Sequence, residues 1–233
     1  MLIVRPAAER GHANHGWLDS WHSFSFADYR DPRHVQWGPL RVINEDRVQP
    51  GQGFGTHSHR DMEIVSYVLE GALGHQDSMG NRSSIVPGEV QRMTAGTGVT
   101  HSEFNHDQHA VTHFLQIWFL PALAGLTPGY EQKAYADHEK RGRLCLVVSP
   151  DGRQDSVRIH QDACMYAGLF DGDEAASHEI ASGRLAYVHV ARGALTVDGQ
   201  RLRAGDALLY RDEPRVTLGD GAQAEVLVFD LPA

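Results

Sequence analysis

Short apolar segments separated by polar turns run along almost the whole chain, and no long helical pattern interrupts them. Each segment has the length of a strand and is rich in β-branched or aromatic residues. Many short strands with turns between them predict an all-β sandwich or barrel. A short helix is expected only near residues 121–126. The strands predicted most clearly lie at residues 40–43, 63–69, 113–119, 144–148, 185–190 and 225–229.

A weak internal repeat divides the chain into two similar halves. The segment 68–73 (Val-Leu-Glu-Gly-Ala-Leu) resembles 190–195 (Val-Ala-Arg-Gly-Ala-Leu), and the Pro-Gly-Glu turn at 87–89 resembles the Ala-Gly-Asp turn at 204–206. Two matches in the same order predict a duplicated β-barrel. We therefore expect two tandem jelly-roll domains, and the stretch from 121 to 140 connects them. The predicted domains are residues 1–125 and 126–233.

Charge and hydropathy exclude several classes of function. The 233 residues carry a formal net charge of -9 at pH 7 and contain no cluster of Lys and Arg. Direct binding to nucleic acid is therefore not expected, because phosphate contacts need clustered positive charge. No apolar run reaches the roughly 20 residues that span a membrane. The first residues lack the pattern of a secretory signal, so a cytoplasmic location is expected.

Two pairs of potential metal ligands occur at strand spacing. His57 and His59 are two positions apart, and so are His101 and Glu103. Side chains alternate along a strand, so each pair shares one face. Polar side chains inside a small barrel need a partner, and imidazole with carboxylate suits a divalent transition metal. Spacing alone leaves Glu63 open as a further carboxylate, because it would also share the face of His59.

The same segments resemble the two motifs of cupin proteins. The pattern H-x-H-x-x-x-E at 57–63 is similar to the first motif, and G-x-x-H-x-x-x-N at 98–105 is similar to the end of the second. Two departures are visible: the closing glycine of the first motif falls one place late at Gly71, and the usual proline near Gly96 is missing. In most cupins the first-motif glutamate is a ligand, which favours Glu63.

The surrounding sequence resembles the pirin family and changes that choice. In pirins the ligands correspond to His57, His59, His101 and Glu103. The resemblance therefore implies that Glu63 is a neighbouring carboxylate that does not bind the metal. The match is dense over the first 120 residues, and the second half resembles a degenerate cupin. The stretches that carry the resemblance are 22–29, 41–44, 53–54, 57–60, 67–71, 75–78, 88–91, 93–96 and 101–103.

The amino-acid sequence of the first half is most similar to the bacterial branch of the family, which is associated with quercetin 2,3-dioxygenase activity. That resemblance implies a flavonol and dioxygen as substrates, cleavage of the heterocycle, and release of carbon monoxide. One divalent metal is implied, Fe(II) first, with Mn, Co, Ni, Cu or Zn as alternatives. Glu103 is then also a catalytic residue that helps to take the proton of the flavonol. The expected apolar walls of the substrate pocket are Phe54, Met93, Phe114 and Trp118.

A second function of a different class stays open. Eukaryotic pirins imply a non-catalytic, redox-responsive regulator that acts through a protein partner. In that hypothesis the oxidation state of the metal switches a binding surface, and turnover is incidental.

The second half is expected to lack a metal site. Carried along the internal repeat, the two histidines of the first pair fall on Glu179 and Ala181, and the second pair falls on Leu218 and Asp220. Since no imidazole is retained, the metal is predicted in the N-terminal barrel only.

Overall fold

The computed structural model describes all 233 residues, and antiparallel strands make up most of the chain. The single α-helix, α1 (Asp137–Lys140), is one turn long, and two 3₁₀ turns occupy Ala7–Glu9 and Arg153–Asp155. The strands in chain order are β1 (Leu2–Arg5), β2 (Gly11–Asn14), β3 (Leu18–His22), β4 (Leu40–Val48), β5 (Gly53–His59), β6 (Glu63–Glu70), β7 (Leu73–Asp77), β8 (Arg82–Ile85), β9 (Glu89–Thr94), β10 (Val99–Phe104), β11 (Thr112–Phe119), β12 (Gly129–Ala134), β13 (Cys145–Ser149), β14 (Val157–Arg158), β15 (Cys164–Gly172), β16 (Ala176–Glu179), β17 (Arg184–Val197), β18 (Gln200–Arg203), β19 (Ala207–Arg211) and β20 (Arg215–Pro232).

The all-β prediction is confirmed, and each of the six predicted strands is present, as part of β4, β6, β11, β13, β17 or β20. The helix predicted near 121–126 is wrong. That stretch consists of bends, because Gly125 has a positive φ of 70° that a right-handed helix does not contain. The one helical turn lies further along, in α1.

The chain forms two compact units that interleave along the sequence. The first unit consists of Gly11–Ala134 with Val157–Gln161, and the second of Met1–Arg10, Tyr135–Ser156 and Asp162–Ala233. These units differ from two consecutive segments, so the domains 1–125 and 126–233 stay a prediction about the sequence.

The first unit contains two antiparallel sheets. One has four strands in the order β5-β10-β7-β8, and the other has seven in the order β12-β9-β6-β11-β4-β3-β2. Apolar side chains of both sheets form one core: Leu73 and Ile85 come from the four-stranded sheet, and Val48, Val68 and Phe114 from the other. Burial of these residues, at roughly 25 cal/mol per Å² of apolar surface, stabilises the packing of the two sheets.

The second unit is built on one sheet, in which the strands β1-β19-β17-β20-β15-β13 follow each other, β16 pairs with β20, and β18 pairs with β17. The long strands β17 and β20 place Val188 directly opposite Val228 and Val190 opposite Val226. All four valines are fully buried in one apolar cluster. This unit is therefore a second β-structure with its own core.

Across the whole chain, no helix has the length and apolar character that crossing a membrane would require. The cytoplasmic location stays a prediction.

Candidate metal centre

The two histidine-containing strands predicted from sequence are neighbours in the four-stranded sheet. Strand β5 carries His57 and His59, and the adjacent antiparallel strand β10 carries His101 and Glu103. The register places His101 directly opposite His57. Strand spacing within each segment and pairing between them thus bring all four side chains into one region of the first unit.

A β-bulge adjusts which side chains of β5 face inward. Between His101 and Glu103 the register slips, because Glu103 pairs with Phe54 while His101 pairs with His57. In a regular strand, Phe54 and His57 would point to opposite faces, since they are three positions apart. Both nevertheless line the same cavity. The close approach of the strands requires Gly53, where an added Cβ would lie 2.3 Å from the carbonyl oxygen of Glu103.

The three imidazoles form a tight cluster. The ring centroids of His57 and His101 lie 4.5 Å apart, those of His57 and His59 4.8 Å, and those of His59 and His101 4.9 Å. One nitrogen from each ring lies within 4.8 Å of the others. His101 is 2% exposed, whereas His57 and His59 are half-buried. A cation between the three rings is therefore reachable from the cavity and shielded on the side of His101.

The hydrogen bonds of His57 show that this cluster fits a cation. The Nδ1–H of His57 donates to the carbonyl oxygen of Gly55 at 2.8 Å, so Nε2 carries the lone pair. This Nε2 lies 3.0 Å from the Nε2 of His101. His101 can donate its own Nε2–H to this lone pair. In its other tautomer the two Nε2 lone pairs face the same point, where a metal ion satisfies both. The donor set, three imidazoles beside a carboxylate, suits a divalent transition metal.

Two of these histidines, His59 and His101, are also held in the uncharged form that binds metals. Burial, together with the nearby His101 and His57, lowers the pKa of His59 to about 4. Burial and the neighbouring His57 likewise lower the pKa of His101 to about 3. Neutral imidazole is the ligand form, so near neutral pH these side chains lose no proton before they bind a metal.

Glu103 lies beside the histidines with its carboxylate fixed from the opposite sheet. The Nε2 of Gln116, on β11, donates to both carboxylate oxygens of Glu103 at 3.0 Å. The hydroxyl of Ser66 lies 3.5 Å from the Oε1 of Gln116, which is consistent with that amide orientation. Glu103 is 3% exposed and, like His57 and His59, lines the cavity. Lone pairs of its oxygens remain available for a metal or a substrate proton.

His75 forms a second group of possible ligands with His101 and Glu103. Its Nε2 donates to the Oδ2 of Asp77 at 3.0 Å, and Asn81 donates to the same carboxylate. The ring of His75 lies 5.3 Å from that of His101. His75 therefore packs behind the three-histidine cluster, in an orientation fixed by Asp77.

Glu63 lies on β6 of the seven-stranded sheet, and its side chain is fully buried. Its carboxylate accepts hydrogen bonds from the hydroxyl of Thr94 at 3.1 Å and from Nδ1 of His160 at 3.3 Å. Glu63 belongs to neither group of possible metal ligands, and its place as a neighbouring carboxylate stays a prediction. Strand β5 ends at His59, and the turn before β6 carries Glu63 into the other sheet.

A cavity of about 540 Å³ opens onto the candidate ligands, which is within the usual range for small-molecule sites. Of the four predicted wall residues, Phe54 and Trp118 line it, and the Trp118 ring lies 5.0 Å from that of His59. Met93 and Phe114 do not line it. Both are fully buried, Met93 against Ile64 and Phe114 in the core between the sheets.

Sequence reasoning missed a polar part of the same cavity. Ser20 and His22 on β3, with Asn44 and Asp46 on β4, also line it. His22 and Asn44 fall inside stretches that carry the pirin resemblance, so a signal for them existed. Ser20 and Asp46 gave none, because both stand beside other polar residues and no spacing distinguishes them.

Asp46 predicts a measurable pH dependence of stability. Burial raises its pKa from 3.8 to about 7, while the hydroxyl of Ser20 opposes this and the charges of Glu103 and Glu45 add to it. As the pH rises from 4 to 7, the unfolded carboxyl ionises and the folded one stays protonated, so stability is lost in this window. The loss is up to about 4 kcal/mol for a shift of this size.

Asp46→Asn cannot ionise and keeps the shape of the side chain. We expect the variant to gain melting temperature relative to the wild type at pH 8 and to gain much less at pH 4. Thermal unfolding of both proteins at the two pH values measures this. If the melting temperatures of the two proteins differ by the same amount at pH 4 and pH 8, the claim that Asp46 is buried and keeps its proton is contradicted.

The chain resembles known proteins both in sequence and in fold. The family model described as Pirin matches residues 3–119, and the model described as Quercetinase C-terminal cupin domain matches 146–231. The chain is 47% identical over 232 residues to the quercetin 2,3-dioxygenase of Escherichia coli K12, covering 100% of this chain and 99% of that protein. It is 43% identical to a putative quercetin 2,3-dioxygenase of Pseudomonas aeruginosa, covering 99% of this chain and 100% of that protein. The crystal structure of an Escherichia coli bacterial pirin in complex with nickel(II) superimposes with a TM-score of 0.95 at 47% identity, covering 100% of this chain and 99% of that one.

Proposed function

The chain belongs to the pirin family of cupin proteins, and from this premise we propose that it is a metal-dependent dioxygenase. The proposed reaction opens the heterocycle of a flavonol such as quercetin with dioxygen and releases carbon monoxide. The observation that carries the proposal is the cluster of His57, His59 and His101, with Glu103 grouped beside His101. His57, His59 and Glu103 line one cavity together with aromatic side chains. Two relatives that are 47% and 43% identical to it are named quercetin 2,3-dioxygenase and putative quercetin 2,3-dioxygenase.

The residues proposed to hold the metal are His57, His59, His101 and Glu103. A single divalent transition metal suits this donor set, and the nickel(II) complex of the related pirin supports it. We propose Fe(II), with Mn, Co, Ni, Cu and Zn compatible with the same ligands. When bound, such an ion supplies Lewis acidity that favours the deprotonated form of a hydroxyl placed against it.

The chain itself supplies the base and its positioning. Glu103 accepts the proton of the flavonol 3-hydroxyl, which leaves the oxyanion of an electron-rich ring that dioxygen then attacks. Gln116 keeps the carboxylate of Glu103 in place through both oxygens, at 3.0 Å each. A correctly placed general base contributes about 10²–10⁴-fold to a rate. Glu103 therefore combines the roles of ligand and catalytic residue.

Aromatic walls position the substrate and exclude water. Phe54 and Trp118 both line the cavity, and the ring of Trp118 packs edge-on against the ring of His59. Planar aromatic rings pack against such faces in offset or edge-to-face geometry. The flat skeleton of a flavonol is the kind of ligand these walls accommodate.

Turnover is the first test of the proposal. Protein purified without a histidine tag and loaded with Fe(II) is mixed aerobically with quercetin. We expect the flavonol absorbance to fall and carbon monoxide to be released in equal amount, as measured by its binding to reduced myoglobin. Absence of both with Fe, Mn, Co, Ni and Cu in turn would contradict the enzymatic proposal. The regulatory alternative has no supporting observation and stays a prediction from the sequence.

A further inference from the structure

A row of buried polar side chains faces the cavity from the seven-stranded sheet. Ser20 pairs directly with Asp46, and His22 pairs directly with Asn44, across strands β3 and β4. All four side chains are at most 4% exposed, and all four line the cavity that His57 also lines. This row comes from a different sheet than the candidate metal ligands.

Part of this row is satisfied within the protein. The hydroxyl of Ser20 donates to Oδ1 of Asp46. Since Ser20 has only one hydroxyl proton, the contact of 2.9 Å between its oxygen and Nε2 of His22 is a bond donated by His22. These bonds orient the Asp46 carboxyl from one side.

The rest of the row has no protein partner. The Oδ1 of Asn44 is buried and accepts no hydrogen bond, and the only hydrogen bond of Asp46 reaches its Oδ1, which leaves Oδ2 free. Leaving a buried polar group unpaired destabilises the folded state, so such groups are rare in native proteins and call for an explanation. Two unpaired oxygens on neighbouring positions of one strand face indicate a ligand that brings its own polar hydrogen.

Burial raises the pKa of Asp46 to about 7. Near neutral pH its carboxyl is therefore about half protonated and is able both to accept and to donate a hydrogen bond. A hydroxyl has the same dual character.

We propose that Asn44 and Asp46 form a subsite that hydrogen-bonds a phenolic hydroxyl of the substrate other than the reacting 3-hydroxyl. The inference rests on the proposed function for its ligand and narrows the substrate class. Flavonols with hydroxyl groups on several rings are preferred over those whose only hydroxyl is the reacting one. A hydrogen-bonding site discriminates against a ligand without the matching group because its own polar atoms are then left unpaired.

Binding in the absence of turnover tests the subsite. Nickel(II)-loaded protein is titrated without oxygen in a calorimeter, once with quercetin and once with 3-hydroxyflavone, which lacks the additional hydroxyls. We expect the wild type to bind quercetin at least about 10-fold more tightly, which corresponds to one good hydrogen bond. Asn44→Leu is expected to remove most of that preference by weakening quercetin about 10-fold, while 3-hydroxyflavone changes by less than about 2-fold.

Two further variants separate a binding role from a structural one. Asp46→Asn keeps the shape and the bond from Ser20, but it replaces the free acceptor with a donor, so it too should reduce the preference. Glu45→Gln is the matched control, because Glu45 lies between them on β4, does not line the cavity, and bonds to His113 at 3.0 Å. Asn44→Leu should not lower the melting temperature without ligand, since the Asn44 side chain bonds to no protein group.

The outcomes distinguish this inference from the proposed reaction. An unchanged preference in Asn44→Leu and Asp46→Asn, or an equal loss for both flavonols, overturns the subsite even if wild-type turnover is normal. A preference that the variants abolish supports the subsite even if the wild type never releases carbon monoxide, a result that would contradict only the proposed reaction. Failure of the wild type to bind either flavonol overturns the subsite as well.

Discussion

Replacing His101 with alanine is expected to lower the affinity of the protein for nickel(II) and Fe(II) by more than about 100-fold, since even indirect changes around a metal reach that size. His101 is the most buried of the three histidines, and its Nε2 lies 3.0 Å from the Nε2 of His57. Its removal takes away one proposed ligand, the ring that faces the Nε2 of His57. Calorimetric titration of metal-free protein measures the change, and His57→Ala should behave in the same way.

A matched control separates ligand loss from a general effect of losing an imidazole. His109 is exposed in the loop before β11 and belongs to neither group of candidate ligands. His109→Ala should bind nickel(II) with wild-type affinity. Wild-type affinity in His101→Ala as well would place the metal elsewhere.

Replacing Glu103 with glutamine should reduce the rate of quercetin consumption by at least about 100-fold, the usual lower bound for a general base. The amide has the shape of the carboxylate, but it cannot take a proton and is a weaker ligand. In the wild type the amide of Gln116 donates to both carboxylate oxygens of Glu103. In the variant one of these two acceptors is replaced by an NH₂ group. The rate is measured at saturating metal, so that reduced metal affinity does not account for the loss.

Glu63→Gln is the comparison that decides between the two carboxylates raised by the sequence. Glu63 bonds to Thr94 and His160 in the first unit and lies outside both candidate ligand groups. Its replacement should leave metal affinity and turnover close to the wild-type values. If Glu63→Gln loses metal as strongly as Glu103→Gln does, the carboxylate ligand was chosen wrongly.

The strands could be predicted because their apolar character is local. Residues 113–119 and 225–229 are apolar enough to be recognised without knowledge of their neighbours. The full length of β4 could not, because its second half contains Asn44, Glu45 and Asp46, which are all buried. The burial of these polar residues depends on partners on β3 and β11, and these partners are distant in sequence.

The candidate site was predictable to the extent that it depends on alternation along a strand. His57 with His59, and His101 with Glu103, share a face for that reason. The choice of Glu103 over Glu63 came from family resemblance and stays a prediction. In the structure the chain turns between His59 and Glu63 and enters the other sheet, and Glu63 belongs to neither group of possible ligands.

The substrate walls were predicted less well, because strand spacing does not say how deep a side chain lies. Phe114 and Trp118 are on the same face of β11, but Phe114 packs in the core while Trp118 reaches the cavity. The bulge that turns Phe54 toward the cavity depends on the register between β5 and β10. Register is a property of the paired strands, which one sequence segment cannot reveal.

Anomalous X-ray diffraction from crystals of nickel(II)-loaded protein tests the central claim most directly. We predict one strong peak in the first unit, at about 2.0–2.2 Å from a nitrogen of His57, His59 and His101 and from an oxygen of Glu103, as is usual for such ligands. A peak bound by His75 in place of His57 and His59, a peak beside Glu63, or no peak at these histidines would contradict it.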